Sequence, residues 1–208
     1  MINWKNLYEK LSDMNRIVLS THENPDGDGL GCAYAMHHIA KKMNVESKII
    51  TATKFSKQYN FLNQDNCFEL YDYDIHYNWI KEADAAFIFD VGDFARLRGV
   101  GRALTENKIY TFNIDHHPSL KNSSFNENYV DTAAAATGEM IYEFIKRNEI
   151  NFTKDEAIGV YTAIMTDTGS FRHSNTNSNC HKIAMECIEL GVNSSEVYQS
   201  IYENRSIA

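Results

Sequence analysis

The sequence has few cysteines and lacks any long apolar run. Its 208 residues include 4 cysteines, and none of them forms a Cys-x-x-Cys pair. No apolar stretch reaches the roughly 18 residues that a transmembrane helix needs. The N-terminus also lacks the basic-then-apolar pattern of a signal peptide. We therefore expect a cytoplasmic protein with reduced thiols that does not associate with a membrane.

Basic residues are also in the minority. The chain has 20 lysines and arginines against 28 aspartates and glutamates, which gives a formal net charge of -8. Proteins that bind long nucleic acids through their phosphates normally carry a basic surface. Long duplex DNA is therefore excluded as a partner. Any nucleic-acid substrate is expected to be short and to be held mainly by metal and a few arginines.

The order of apolar patterns predicts an α/β fold. The length and an apolar content of 43% suit one well-formed core, and the sequence has no repeat, low-complexity tract or Pro/Gly-rich linker. Predicted strands alternate with helices, which is typical of a parallel β-sheet flanked by helices on both faces. The predicted strands cover residues 16–20, 47–51, 85–89 and 109–114, and the main helices cover 3–14, 29–43, 94–105, 133–146 and 153–168.

The triplet Asp115-His116-His117 stands at the end of an apolar run and is followed by Pro118. Side chains alternate faces along a strand, so three consecutive residues can point at one centre only where the strand has ended and the backbone turns. An acid and two imidazoles would then lie at the carboxyl end of a strand, where open α/β sheets bind their ligands. The triplet is therefore a candidate for metal binding or proton transfer.

Three other segments deliver acids or an imidazole in the same way. They are the loop after the first strand, the end of the third predicted strand, and the end of a buried helix, with the side chains His22, Asp26, Asp28, Asp90 and Asp167. Taken singly, each acid is as well explained by a helix cap, a turn or a solvated loop position.

The first loop also resembles the first half of an EF-hand. Asn24, Asp26, Asp28 and Gly29 have the spacing of its early ligands. The last loop position, however, holds Ala35 in place of the bidentate glutamate that calcium needs, and Pro25 is unfavourable inside such a loop. A calcium loop is therefore excluded.

Several acids can share one cleft only with compensating positive charge. Two carboxylates about 4 Å apart repel by about 4 kcal/mol at an effective dielectric constant near 20. Two divalent cations would neutralise Asp26, Asp28, Asp90 and Asp167, and one carboxylate bridging them is the usual geometry of two-metal phosphoryl chemistry. Carboxylate and imidazole ligands without a thiolate favour two Mn²⁺ over structural zinc, and leave magnesium, cobalt and iron open.

The four motifs together resemble the DHH phosphoesterase superfamily. They occur in order as His22-x-Asn24-Pro25-Asp26-Gly27-Asp28, then Asp90, then Asp115-His116-His117, then Asp167. A lone triplet would be a weak signal, whereas four spaced motifs are specific. The resemblance implies that one Mn²⁺ is bound by His22, Asp26 and Asp90. It implies a second Mn²⁺ bound by Asp28, Asp90, His116 and Asp167, with Asp90 as the bridge.

The resemblance also implies a catalytic pair. Asp115 would orient its neighbours, and His117 would face the scissile phosphate and assist the leaving oxygen while a hydroxide activated by the metals attacks phosphorus. Arg96, Arg98 and Arg172 are candidate phosphate contacts, and Arg172 is favoured because it closely follows Asp167. A surface salt bridge is the alternative for each arginine.

Within the superfamily, residues 26–31 resemble the branch of the bacterial oligoribonuclease/pAp phosphatases, which is NrnA-like and related to RecJ. This branch implies hydrolysis of short oligonucleotides (nanoRNA, linear dinucleotides) or of pAp to nucleoside monophosphates. The alternatives are a cyclic-di-AMP phosphodiesterase, an inorganic pyrophosphatase or polyphosphatase of the same superfamily, and a nucleotide-binding module without turnover.

The resemblance also implies a domain organisation. Residues 1–190 would form the catalytic DHH domain, and residues 191–208 would begin the connection to a second domain, DHHA1. The Gly-Gly-Gly-His loop of that second domain does not occur in the sequence. We expect either a fragment of a protein of about 300 residues or a naturally shortened form. The oligomeric state is left open, with a homodimer as one option.

Overall fold

A computed structural model of the chain describes residues 2–118 and 124–203. Within these residues, six parallel strands form one sheet in the order β3-β2-β1-β4-β5-β6. The strands are β1 Arg16–Thr21, β2 Glu46–Thr51, β3 Phe68–Leu70, β4 Ala85–Phe89, β5 Tyr110–Asp115 and β6 Glu127–Val130.

Helices cover both faces of this sheet, which confirms the predicted fold class. The α-helices are α1 Trp4–Ser12, α2 Gly27–Lys42, α3 Tyr73–Lys81, α4 Arg98–Glu106, α5 Thr137–Arg147, α6 Lys154–Asp167, α7 Ser178–Glu189 and α8 Ser194–Tyr198. Short 3-10 helices cover Lys57–Asn63 and Phe94–Leu97, and a π-helix covers Gln199–Glu203.

Alternation along the central strands produces the two hydrophobic cores. In β4, Phe87 and Phe89 belong to the larger core with α1, α2, α5, α6 and α7, whereas Ala86 and Ile88 belong to the smaller core with α3 and α4. Successive side chains of a strand point to opposite faces, and a sheet buried on both faces requires a continuous apolar run. The run 85–89 meets this requirement, and all five of its residues are buried.

The winding of the chain fixes where a ligand can bind. From β1 the chain moves outward through β2 to β3, then returns to β4 beside β1 and moves outward through β5 to β6. The connections that follow β1 and β4 therefore diverge from each other and open a crevice at the carboxyl ends of the strands. In doubly wound sheets, this switch point is the usual binding position.

Several elements differ from the sequence prediction. Helix α2 begins at Gly27 because the Asp26 side chain caps it, accepting the backbone N–H groups of Asp28 and Gly29. The edge strands β3 and β6 were not predicted, since three or four residues of mixed polarity give no period-2 signal. Helix α3, Tyr73–Lys81, is not among the predicted main helices, and α5 begins at Thr137 rather than Ala133.

The C-terminal part of the described chain packs on the larger core through Val197 and Ile201. The predicted domain boundary near residue 190 stays a prediction, and residues 204–208 lie outside the described part. Among the described residues, none of the helices combines the length and the apolar character that crossing a bilayer would require.

Candidate metal centre

The loop after β1 delivers the first three polar side chains to the crevice. His22 directly follows the strand and is buried, with 5% of its side chain exposed. Asp26 uses one oxygen to cap α2, and its other oxygen, Oδ2, lies 3.6 Å from His22 Nε2. Asp28 lies in the first turn of α2 and is completely buried. The end of β1 and the start of α2 thus place the side chains of His22, Asp26 and Asp28 close together.

Asp90 lies at the middle of the cluster, directly after β4. Its Oδ2 lies 3.4 Å from His22 Nε2, and its Oδ1 lies 3.7 Å from His116 Nε2. The backbone of Asp90 is left-handed, with a φ of 61°. Among residues other than glycine, aspartate and asparagine adopt this conformation most readily. The left-handed turn ends the strand and leaves the carboxylate between two imidazoles.

His116 approaches the cluster from β5. Its Nε2 lies 3.1 Å from Asp167 Oδ2 and 3.7 Å from Asp28 Oδ2. Asp167 is the last residue of α6, and a quarter of its side chain is exposed. The other ring nitrogen of His116 faces the carbonyl oxygen of Ala134 at 3.3 Å. Such a contact fixes the orientation of the ring and leaves Nε2 free for a ligand.

The cluster contains two groups that could each hold a metal ion. In each group, the potential ligand atoms lie within 4.8 Å of one another: one group is His22, Asp26 and Asp90, and the other is Asp28, His116 and Asp167. Asp90 also forms a further group of this kind with His116 and His117. The sequence-predicted metal ligands are therefore all brought together, with Asp90 between the two groups.

His117 and Asp115 form a pair beside this cluster. Asp115 is buried at the end of β5, and its Oδ1 accepts hydrogen bonds from the backbone N–H and from Nδ1 of His117, at 3.0 and 2.9 Å. The His117 Nδ1 also lies 3.2 Å from Asp90 Oδ1, and half of the side chain is exposed. The ring is thus held at one nitrogen and accessible from the crevice.

The three predicted arginines have different surroundings. An Nη2 of Arg96 lies 2.9 Å from His22 Nδ1, at the edge of the first group. Arg98 forms a bidentate pair with the Glu23 carboxylate, one contact being 2.7 Å, as the salt-bridge alternative expects. Arg172 is exposed, and its side chain makes no hydrogen bond or ion pair with the described residues.

The electrostatics of the cluster reflect an excess of negative charge. Burial lowers the pKa of His22, but the carboxylates of Asp26 and Asp90 outweigh it and raise that pKa to about 10. At His116, burial also lowers the pKa, but the carboxylates of Asp167 and Asp28 outweigh it and raise the pKa to about 9. Complete burial, together with the charges of Asp90 and Asp167, raises the pKa of Asp28 well above its usual range. The raised pKa values of His22, His116 and Asp28 all mean that the cluster holds protons more strongly than these side chains do in water, because it has too little positive charge of its own.

Two atoms at its centre fit a bound cation. Asp90 Oδ1 and His116 Nε2 are buried, and although His117 Nδ1 and Asp167 Oδ2 lie 3.2 and 3.1 Å from them, neither atom makes a hydrogen bond of good geometry with the described residues. A buried polar atom without a partner costs about 1–3 kcal/mol, so native structures rarely tolerate one without a ligand, ion or water. Both atom types are metal ligands, and carboxylate with imidazole suits a divalent ion such as Mn²⁺. The residues present therefore fit a metal.

Sequence reasoning missed several residues that hold the ligands. Asp28 accepts backbone N–H groups from Thr137 and Gly138 at 2.7 and 2.9 Å, and its Oδ1 lies 3.4 Å from the buried Cys32 thiol. The side-chain amide of Asn175 contacts the carbonyl oxygen of Asp167. Backbone N–H donors cannot be recognised from residue types. Only a correct prediction of where α5 begins could have indicated that Thr137 and Gly138 donate to Asp28.

Comparison with known proteins agrees with this geometry. Residues 16–164 match the family model described as DHH family, N-terminal domain. The chain is 27% identical over 200 residues to the uncharacterized protein MG371 of Mycoplasma genitalium, covering 95% of this chain and 59% of that protein. It is 27% identical over 183 residues to the bifunctional oligoribonuclease and PAP phosphatase NrnA of Thermus thermophilus, and the match covers 87% of this chain and 52% of that protein.

A more distant relative carries the name of another activity. The chain is 22% identical over 182 residues to a probable manganese-dependent inorganic pyrophosphatase of Streptococcus equi subsp. zooepidemicus, covering 85% of this chain and 56% of that protein. The chain therefore spans between 52% and 59% of the length of these three relatives.

A solved structure shares the fold. It is an exopolyphosphatase-related protein from Bacteroides fragilis, with a TM-score of 0.90 and 22% identity, and the match covers 98% of this chain and 61% of the other. The arrangement of strands and helices described above is therefore that of a known architecture.

Proposed function

The chain belongs to the DHH family, and on that premise we propose that it is a manganese-dependent phosphoesterase that hydrolyses short oligonucleotides or pAp to nucleoside monophosphates. The observation that carries the proposal is the position of Asp90, whose two oxygens face His22 and His116 in two different groups. The name of the Thermus relative supports the substrate class.

The residues suggest which group would hold which ion. His22, Asp26 and Asp90 would bind one Mn²⁺, and Asp28, His116 and Asp167 would bind the other together with Asp90. The four carboxylates would balance the charge of two divalent ions. When bound, such a pair would supply the positive charge that activates water as a nucleophile and offsets the negative charge on the phosphoryl and leaving oxygens.

Protein groups would carry the proton transfer. The Asp115 carboxylate accepts Nδ1–H of His117, which fixes the ring and stabilises its imidazolium form. The second ring nitrogen, Nε2, can then donate a proton to the leaving oxygen. Because half of the His117 side chain is exposed in the crevice, a phosphate group bound there can reach it.

Arginine side chains would bind the substrate phosphates. Arg96 lies beside His22, and Arg172 carries a guanidinium group without a partner among the described residues. Arg98 is less suited to this role because the Glu23 carboxylate already neutralises it. The net charge of -8 supports short substrates, since a long phosphate chain would meet net repulsion.

A substrate panel tests the proposal. We would incubate the protein and Mn²⁺ with pAp, pApA, cyclic di-AMP, pyrophosphate and a longer single strand, and measure the monophosphate or phosphate released. We expect His117→Gln to lower kcat by about 10²- to 10⁴-fold, while His181→Gln, an exposed histidine on α7, leaves kcat unchanged. Absence of released monophosphate from pAp and pApA in a protein that binds Mn²⁺ would contradict the proposed substrates.

Inorganic pyrophosphate hydrolysis is the second candidate. The Streptococcus relative, which bears the name of a manganese-dependent inorganic pyrophosphatase, favours it. The same panel separates the two candidates, because a pyrophosphatase would release phosphate from pyrophosphate and leave pApA intact.

A further inference from the structure

The residues of the second group connect to one short stretch of backbone, Asp28 and His116 by direct contacts and Asp167 through the side chain of Asn175. This stretch, residues 134–138, runs from the loop before α5 into its first turn. Its residues are three alanines, a threonine and a glycine, so it contributes no carboxylate, imidazole or thiol to the cluster. It nevertheless makes direct contacts with Asp28 and His116.

The first contact joins two helices. Helix α5 begins without a capping side chain, because its N-cap residue is Ala136. The first N–H groups of a helix have no partner within it and must be satisfied from elsewhere. The carboxylate of Asp28 does this, with Thr137 N–H at 2.7 Å and Gly138 N–H at 2.9 Å. Since these bonds are buried and use both oxygens, they fix the rotation of the carboxylate.

The second and third contacts complete the set. The carbonyl oxygen of Ala134 lies 3.3 Å from Nδ1 of His116. Asn175 then links the next carbonyl to the end of α6, since its amide donates to the main-chain oxygen of Ala135 at 3.0 Å and to the main-chain oxygen of Asp167 at 3.2 Å. The side chains of Asp28 and His116 and the backbone at Asp167 are thus connected to one piece of main chain, although they lie far apart in sequence.

We propose that the 134–138 segment is the positioning element of the second cation site, an inference that rests on the proposed function, and that Gly138 is its critical residue. Gly138 lets α5 approach α6 so closely that a Cβ there would collide with the Cβ of Ala163. Neither atom belongs to a flexible side chain, so Gly138→Ala must displace the start of α5. The two N–H groups would move away from Asp28.

The experiment measures Mn²⁺ binding to the whole chain by calorimetry, without substrate. Gly138→Ala should weaken the second Mn²⁺ by about 10- to 100-fold, as loss of a group that orients a ligand usually does, and leave the first within about twofold. Adding Ala163→Gly removes the colliding atom and should restore the second affinity to within about twofold of wild type. Ala163→Gly alone should bind both ions, and thermal unfolding of each metal-free variant reports whether it folds.

Two asparagines provide a second test. Asn175→Ala removes the link to Asp167 and should weaken the second Mn²⁺ by about tenfold. Asn148 makes equivalent bonds to the carbonyl oxygens of Trp4 and Phe144 far from the cluster, so Asn148→Ala should leave both affinities unchanged.

The outcomes separate this inference from the proposed function. If wild type binds fewer than two Mn²⁺, the dinuclear centre itself is wrong. If wild type binds two and folded Gly138→Ala binds both with unchanged affinity, the positioning role is wrong. Equal weakening of both ions, or no recovery in the double variant, would also overturn it, because general destabilisation is not specific to one site.

Discussion

Replacing Asp90 by asparagine is the most direct test of the shared carboxylate. Asparagine has the same shape and also tolerates the left-handed backbone of this residue, so the fold should be retained. The change removes one negative charge from between His22 and His116, which lie 3.4 and 3.7 Å from its two oxygens. If Asp90 bridges two ions, the change should weaken the binding of both.

The expected loss follows from Coulomb's law. A divalent cation and a unit negative charge about 4 Å apart interact by about 8 kcal/mol at an effective dielectric constant near 20. The amide oxygen remains a weak ligand, and with water at the ion it recovers more than half of this energy. We therefore expect each ion to lose about 3 kcal/mol of binding free energy, which is about a hundredfold in Kd.

The assay is calorimetric titration of Mn²⁺ into metal-free protein, with Asp93→Asn as the control. Asp93 is a nearby acid that caps the 3-10 helix Phe94–Leu97 and belongs to neither group. Asp93→Asn should bind as wild type does. Loss of one ion with the other unchanged would refute the bridging role, and unchanged binding of both ions would refute the metal centre.

Three further predictions concern the rest of the fold. Burial, with the charges of His38 and Lys41, lowers the pKa of His37 from 6.5 to about 4. The neutral imidazole therefore contributes stability above about pH 6.5 that is lost as the pH falls towards 4. His37→Gln should reduce the fall in Tm between about pH 7 and pH 5, whereas His181→Gln should not. Lys42 contacts the fully buried Glu156 carboxylate at 2.6 Å. Lys42→Met should therefore lower the free energy of unfolding, measured with urea, by about 2 kcal/mol, because it leaves that charge buried without a partner. Adding Glu156→Gln removes the charge and should make the loss smaller. If the double variant is no more stable than the single one, the buried charge is not the cause. A Cβ at Gly159 would collide with the carbonyl oxygen of Gly31, so Gly159→Ala should lower the free energy of unfolding by about 2 kcal/mol; a change below about 0.5 kcal/mol would contradict this close helix contact.

The fold class, and which polar side chains meet in one cluster, could be predicted from sequence because both depend on local signals. The apolar runs ending at Asp90 and Asp115 are long enough to indicate buried strands, and the family motifs name side chains directly. The winding rules of α/β proteins restrict the strand order without giving it, so the sequence predicts a parallel sheet but not its order. The assignment of individual residues to individual ions stays a prediction that metal titration must test.

What could not be predicted depends on contacts between distant backbone groups. Nothing in the Ala-rich segment before Gly138 indicates that its N–H groups meet Asp28, which lies over a hundred residues earlier. The contact between Arg96 and His22 also requires the fold to be known, since the two residues follow different strands. Short edge strands such as β3 escape detection for a simpler reason, because three residues contain too little periodicity.

The left-handed backbone at Asp90 limits how this protein could change over evolutionary time. Glycine, asparagine and aspartate adopt such a conformation most readily, although Lys108 and Phe171 also adopt it elsewhere in this chain. Of the first three, aspartate alone carries charge. A descendant that had lost its cations would therefore be expected to keep the architecture and to show asparagine or glycine at this one position. That single letter would mark a descendant in which the proposed bridge between the two groups has been lost.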